Sequence, residues 1–211
     1  MRPAREVGGD LYDLADLGGD KILITIGDVC GKGIPASLFM AVTQTVMRLT
    51  VRSEQSLEKE IGAANRLLMV NNSEDMFATL FCGVLEMTSG TMHYCNCGHN
   101  PPLLLQFQSG AFQSLRLCGP PLGLMDDTAY MPHSIVLAPG DILFLYTDGI
   151  TEAENADRIQ FGTAGLQESI FEVRDQSARS IVEHVVGEAT KLANDASQSD
   201  DITCIAIVRE K

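Results

Sequence analysis

The stretch Gly27-Asp28-Val29-Cys30-Gly31-Lys32-Gly33 constrains this chain's fold more than any other. The apolar run before it, residues 22–26, reads as a buried strand. That strand ends on an acid, a glycine-rich turn follows, and Pro35 opens a long apolar-periodic helix. An aspartate at a strand end, beside glycines that let other groups come close, is well suited to hold a hard cation. The other informative acids read as arranged to meet it.

Upstream, Gly8-Gly9 before Asp10 suggests a bulge or a close backbone approach. A strand through Tyr12 and Leu14 turns at Gly18-Gly19-Asp20 and returns as residues 21–28. This hairpin brings Asp10 and Asp28 into one neighbourhood. Residues 35–51 read as a helix on the spacing of Leu38, Val42, Thr45, Val46 and Leu49. Ser56 is a candidate cap for a second helix with a core stripe of Leu57, Ile61, Ala64, Leu67 and Leu68.

Strands dominate the middle of the chain. Segments 77–87 and 91–97, 103–107 and 112–117, and 134–138 and 141–148 read as three hairpins, with 142–146 central because it is wholly apolar. Thr147-Asp148-Gly149 ends that strand as Gly27-Asp28 ends the earlier one. Helices are expected over 164–173 and 178–193, the latter capped by Ser177, and a last strand over 202–208 after Asp200-Asp201. With no repeat and no interior linker, residues 1–211 read as one domain. The class is α+β: two antiparallel β-sheets packed as a sandwich flanked by helices.

The 211 residues carry a net charge of -13, with a pI of about 4.6. Such a surface argues against nucleic acid and anionic membrane as partners. Acidity can serve solubility alone, or some acids can bind metal. The 6 cysteines mostly sit in apolar runs without a C-x-x-C pair. That favours a reduced, cytoplasmic protein over a disulfide framework. A zinc site from Cys95, Cys97 and His99 lacks a second ligand pair. No signal peptide or bilayer-length apolar run is present.

Asp10, Asp28, Asp148 and Asp200, the last doubled by Asp201, all stand at strand boundaries. Taken singly, each can be an ordinary turn aspartate. Converging carboxylates repel and take up protons unless cations neutralise them. Magnesium or manganese does this with oxygen ligands and open coordination positions. Two such ions would acidify a water and clamp a phosphoryl group. Gly31-Lys32-Gly33 is no phosphate-binding P-loop, because Gly33 stands where a hydroxyl is needed.

Val7-Gly8-Gly9-Asp10-Leu11-Tyr12-Asp13, the Gly27 to Gly33 stretch and Asn96-Cys97-Gly98-His99-Asn100-Pro101-Pro102 are followed by three more motifs. These are Pro121-Leu122-Gly123, Tyr146-Thr147-Asp148-Gly149-Ile150-Thr151-Glu152-Ala153 and Asp200-Asp201-Ile202-Thr203. In this order the set resembles bacterial metal-dependent serine/threonine phosphatases of the sporulation stage-II protein E family, relatives of the type 2C phosphatases. The resemblance implies two divalent cations, Mn2+ or Mg2+, with Asp28 bridging them and the Val29 carbonyl on one. It implies Asp10, Asp148 and Asp200 as further ligands and catalytic residues, with Asp201 beside them. A metal-activated water would attack phosphorus directly, which makes Cys30 dispensable as a nucleophile.

The eukaryotic branch has a histidine where Cys30 stands, so the general acid is unassigned. Arg5 lies where that branch carries a phosphate-holding arginine. His99 belongs to the subfamily's own turn motif and reads as structural before catalytic. The resemblance further implies a phosphorylated anti-anti-sigma protein as substrate, a possible homodimer through the helix pair at 35–72, and an upstream sensory module. The abrupt start suggests the C-terminal part of a longer regulator. The alternative is a catalytically weak phosphoprotein-binding module of the same fold.

Overall fold

The computed structural model describes residue 1 and residues 8–53, 55–70, 72, 76–193 and 200–210. By their internal contacts they form two units. The first unit comprises Val7–Pro101 and Arg116–Val136; the second comprises Pro102–Leu115, Leu137–Lys211 and the N-terminal residues.

The first unit is built on a five-stranded antiparallel sheet. Its strands are β1 (Leu11–Gly18), β2 (Lys21–Val29), β3 (Ala78–Glu86), β4 (Thr91–Cys97) and β7 (His133–Val136), paired in that order. β2 is interior and almost continuously buried, whereas the edge strand β1 alternates. On β1, Leu11 and Asp13 turn inward and Tyr12 and Leu14 face solvent. Helices α1 (Ile34–Thr50) and α2 (Leu57–Met69) belong to this unit.

Three side chains tie α1 to the β1 side of the sheet. Ser37 Oγ donates to the Gly8 carbonyl (3.0 Å) and Gln44 Nε2 to the Tyr12 carbonyl (3.3 Å). The exposed Arg48 guanidinium forks onto the buried Asp13 carboxylate, which satisfies an acid that would otherwise be costly to bury.

The second unit carries a four-stranded antiparallel sheet. Its strands are β5 (Leu103–Gln106), β6 (Ala111–Ser114), β8 (Ile142–Tyr146) and β9 (Cys204–Val208), in the order β6-β5-β8-β9. β8 is fully buried and interior, as its unbroken apolar run requires. Helices α4 (Gly162–Glu172) and α5 (Ala178–Ala193) bury Leu166, Ile170, Ile181 and Val185 in one core with Phe144 and Ile142. Ser177 Oγ accepts from Ser180 N (3.2 Å), the cap expected for α5.

Two antiparallel sheets with flanking helices are what the sequence pattern leads one to expect. Four local expectations fail. Strand 134–138 forms no hairpin with 141–148, because β7 pairs with β4 and β8 with β5 and β9. The chain leaves one sheet for the other at Pro139-Gly140. There the Asp141 carboxylate accepts from Ala138 N and Phe107 N, both at 2.9 Å, and holds the corner.

The α1 periodicity marks the wrong face. Ala36, Thr43 and Met47 are buried, while Leu38, Val42 and Leu49 are 64%, 51% and 65% exposed. In α2 the stripe is right except at Leu67, which is 52% exposed. Ser56 sits at the N-cap but makes no side-chain cap bond; its carbonyl receives Lys59 N and Glu60 N.

Candidate metal centre

Within the first unit, the β1–β2 register pairs Leu11 with Gly27. One step further along each strand, Asp10 stands opposite Asp28, and on the far side of Asp28 the register pairs it with Thr79. The row therefore runs from Asp10, just before β1, through Asp28 on β2 to Thr79 on β3, and the Val29 N–H bond to the Gly9 carbonyl keeps the same offset. Asp10 is 2% exposed and Asp28 is half-buried.

Gly9 explains the glycine pair. A Cβ there would stand 3.1 Å from Asp28 Oδ1 and 3.2 Å from the Val29 carbonyl oxygen. Those two oxygens therefore border the same small space in front of the Gly9 Cα, a space that any side chain would fill. A carboxylate, a main-chain carbonyl and the neighbouring Asp10 make an all-oxygen donor set, which suits a hard divalent cation.

The backbone at this point is held from both sides. Val29 N–H donates to the Gly9 carbonyl (3.4 Å) and Cys30 N–H to the Phe77 carbonyl (2.9 Å). The Cys30 thiol receives the Phe77 N–H (3.3 Å), so its sulfur closes a turn.

In the second unit, β8 runs into Thr147 and the single helical turn α3 (Asp148–Thr151). Thr147 is fully buried and ties this turn to the start of β9. Its N–H donates to the Thr203 carbonyl (3.0 Å) and its hydroxyl accepts from Thr203 N–H (3.0 Å). The approach is so close that a Cβ on Gly149 would stand 2.0 Å from the Asp201 carbonyl oxygen; only glycine fits. Asp148, Asp200 and Asp201 are thereby brought into one neighbourhood, with Asp200 Oδ1 accepting from Asp201 N–H (2.9 Å).

The structure thus gathers Asp10 with Asp28 and Val29 in one unit, and Asp148 with Asp200 and Asp201 in the other. Among the described residues no three His, Cys, Asp or Glu side chains form a ready-made cation cluster. That includes Cys95, Cys97 and His99, although the first two sulfurs are 3.6 Å apart. Arg5 lies outside the described residues.

His99 is 2% exposed and belongs to its turn: its N–H donates to Asn96 Oδ1 (2.8 Å) and its Nδ1 meets the Thr79 hydroxyl (3.1 Å). Thr79 escapes sequence reading, and Thr147 is legible only as a member of its motif, without a role. Nothing marks a strand threonine as the group that grips an acid's backbone, and only the register reveals it. The thiols of buried Cys82 and partly buried Cys204 are poor nucleophiles: loss of solvation raises Cys82 well above the ordinary thiol range and holds Cys204 at about 11.

Folds of this kind define a class. The chain superposes on the SiaA-PP2C domain of Pseudomonas aeruginosa with a TM-score of 0.84 and 20% identity, covering 99% of this chain and 84% of that one. It also matches RsbX in complex with magnesium, with a TM-score of 0.70 and 17% identity over 98% of this chain and 90% of the other. The architecture is that of the type 2C phosphatases.

Residues 18–210 match the family described as Stage II sporulation protein E (SpoIIE), and the chain belongs to that family. Phosphoserine phosphatase RsbU of Bacillus subtilis (strain 168) is 29% identical over 99% of the chain. The chain spans 61% of the length of RsbU and 37% of that of another curated relative. No helix among the described residues is long and apolar enough to cross a membrane.

Proposed function

We propose that this chain is the catalytic domain of a divalent-metal-dependent protein phosphatase acting on phosphoserine or phosphothreonine. The observation that carries the reading is the pairing of Asp28 Oδ1 with the Val29 carbonyl in front of Gly9, beside Asp10. Asp10, Asp28, Val29, Asp148 and Asp200 would hold two cations, Mn2+ or Mg2+, with Asp201 steadying Asp200. When bound, the cations supply a water acidified for attack on phosphorus and positive charge against the phosphoryl oxygens.

The protein's own part is electrostatic and positional. Asp10 and Asp28 side by side concentrate negative charge that a divalent ion relieves. The turn holding Asp148 is fixed by Thr147, so its carboxylate is presented without a reorganisation cost. No cysteine nucleophile is required when a metal-activated water attacks phosphorus directly, and the Cys30 sulfur has a structural part, receiving the Phe77 N–H.

The substrate proposed is a phosphorylated anti-anti-sigma-type protein, dephosphorylated as one step of a partner switch. The family membership and the RsbU match support it. The helix pair is proposed as a homodimer face. Ile34, Leu38, Val42, Leu67 and Val70 surround an apolar groove of about 400 Å³, and all are more than half exposed. α1 carries no acidic residue in a chain of net charge -13, so two copies meet there without like-charge repulsion.

The test is hydrolysis of a phosphorylated protein of that type and of a chromogenic phosphate ester, with and without manganese. Manganese-dependent release of phosphate that disappears in Asp28→Asn and in Asp148→Asn is expected. Hydrolysis that persists in both variants, or in excess chelator, would overturn the proposal.

A further inference from the structure

We propose that Thr79 and His99 form a positioning pair that fixes the Asp28–Val29 peptide and so aims the oxygens that meet the cation. The inference rests on the metal reading of Asp28 and deepens it. Three groups meet in a line. Thr79 Oγ1 lies 3.3 Å from the Asp28 carbonyl oxygen and 3.1 Å from His99 Nδ1. A hydroxyl has one proton, and a carbonyl can only accept. Both contacts are satisfied together in one way: His99 carries its proton on Nδ1 and donates to Thr79 Oγ1, and Thr79 donates to Asp28.

That assignment has a consequence for the backbone. The Asp28 carbonyl and the Val29 N–H belong to one planar peptide. Thr79 on β3 holds its oxygen, and the Gly9 carbonyl on the β1 side holds its N–H at 3.4 Å. With the peptide plane fixed from both neighbours, the direction of the next carbonyl, that of Val29, is restricted. That carbonyl is the one facing Gly9 beside Asp28 Oδ1.

His99 is itself rigid. It is 2% exposed, and its backbone N–H is anchored on Asn96 Oδ1 at 2.8 Å, with Asn96 fully buried. The turn motif Asn96 to Pro102 thereby supports the metal site without contacting the ion. Outer partners of this kind orient ligands, and their loss commonly lowers metal affinity while leaving the fold intact.

The test is Mn2+ binding to the 211-residue chain by titration calorimetry, alongside the melting temperature of the metal-free protein. Thr79→Val keeps the shape and removes the hydroxyl; it should weaken Mn2+ binding roughly 10- to 100-fold. Its metal-free melting temperature should stay within about 4 °C of the parent's. Thr79→Ser restores the donor and should return affinity to within about threefold of the parent. His99→Leu should behave as Thr79→Val, and His99→Asn, whose amide N–H can replace Nδ1–H, should recover part of the loss.

Unchanged affinity in Thr79→Val overturns the positioning pair, as does an equal loss in the valine and serine variants. A drop in melting temperature without a drop in affinity assigns Thr79 to the fold alone and also overturns it. Absence of Mn2+ binding by the parent chain would sink the metal reading, and this one with it.

Discussion

The Asn65 carboxamide grips the Pro121-Leu122-Gly123 motif: its Oδ1 accepts from Gly123 N–H at 2.8 Å and its Nδ2 donates to the Met125 carbonyl at 2.8 Å. Asn72 holds the same glycine's carbonyl at 3.1 Å, and Leu122 exchanges two 2.9 Å backbone bonds with Ala78, at the start of β3. The motif is a bracket joining α2 to the strand that pairs with Asp28.

Replacing Asn65 by alanine therefore leaves a buried Gly123 N–H without an acceptor. The expected loss is about 2–3 kcal/mol of unfolding free energy, read as a shift in the urea midpoint. A change under about 0.5 kcal/mol would mean that the loop re-forms its bonds elsewhere.

Gly9→Ala tests the space in front of Asp28. The new methyl would press on Asp28 Oδ1 and the Val29 carbonyl, at 3.1 and 3.2 Å. Manganese affinity should fall by roughly 10-fold or more, with the melting temperature of the metal-free protein shifted by less than about 4 °C. Wild-type affinity in this variant would show that the space is not used.

The two faces of α1 should respond oppositely to truncation. Met47 is 1% exposed, so Met47→Ala should cost about 2–5 kcal/mol in chemical denaturation. Leu38 and Leu49 are more than half exposed, so alanine there should change monomer stability by no more than about 0.5 kcal/mol. If the groove is a dimer face, Leu38→Glu should instead lower the weight-average mass in sedimentation.

Alkaline stability follows from Cys204. Burial holds its thiol at about 11, against an ordinary 9.0. Between those values the unfolded chain has lost the proton and the folded chain retains it, so the folded state binds more protons. The Cys204 contribution to stability is then constant below about pH 9 and falls by about 1 kcal/mol per pH unit above it, levelling off near the folded value, on top of the losses from Cys82 and the other groups that burial holds protonated. In Cys204→Ser the slope over this window should be shallower by that amount, measured by urea unfolding at successive pH values.

Much of the site was legible because its signals are local. Gly9-Asp10, Gly27-Asp28 and Asp148-Gly149 each pair an acid with a residue that permits close approach, and each lies at a strand end. What was not legible depends on partners distant in sequence. The α1 periodicity showed that a helix forms, but two apolar faces compete there, and packing of Ala36, Thr43 and Met47 against the unit decided which is buried. The segment 134–138 looked like half of a hairpin because a Pro-Gly turn follows. Its β4 partner was chosen by cross-strand pairing, and no short-range pattern encodes that.

The sequence by itself determined the element types, the acids at strand ends and the glycines beside them, because backbone conformation and hydrophobic period are properties of neighbouring residues. Tertiary structure alone decided that Thr79 lies opposite Asp28, that Asp201 closes on Gly149, and which faces the helices bury. Register and packing are set by the joint burial of segments many residues apart, and that information is shared among them.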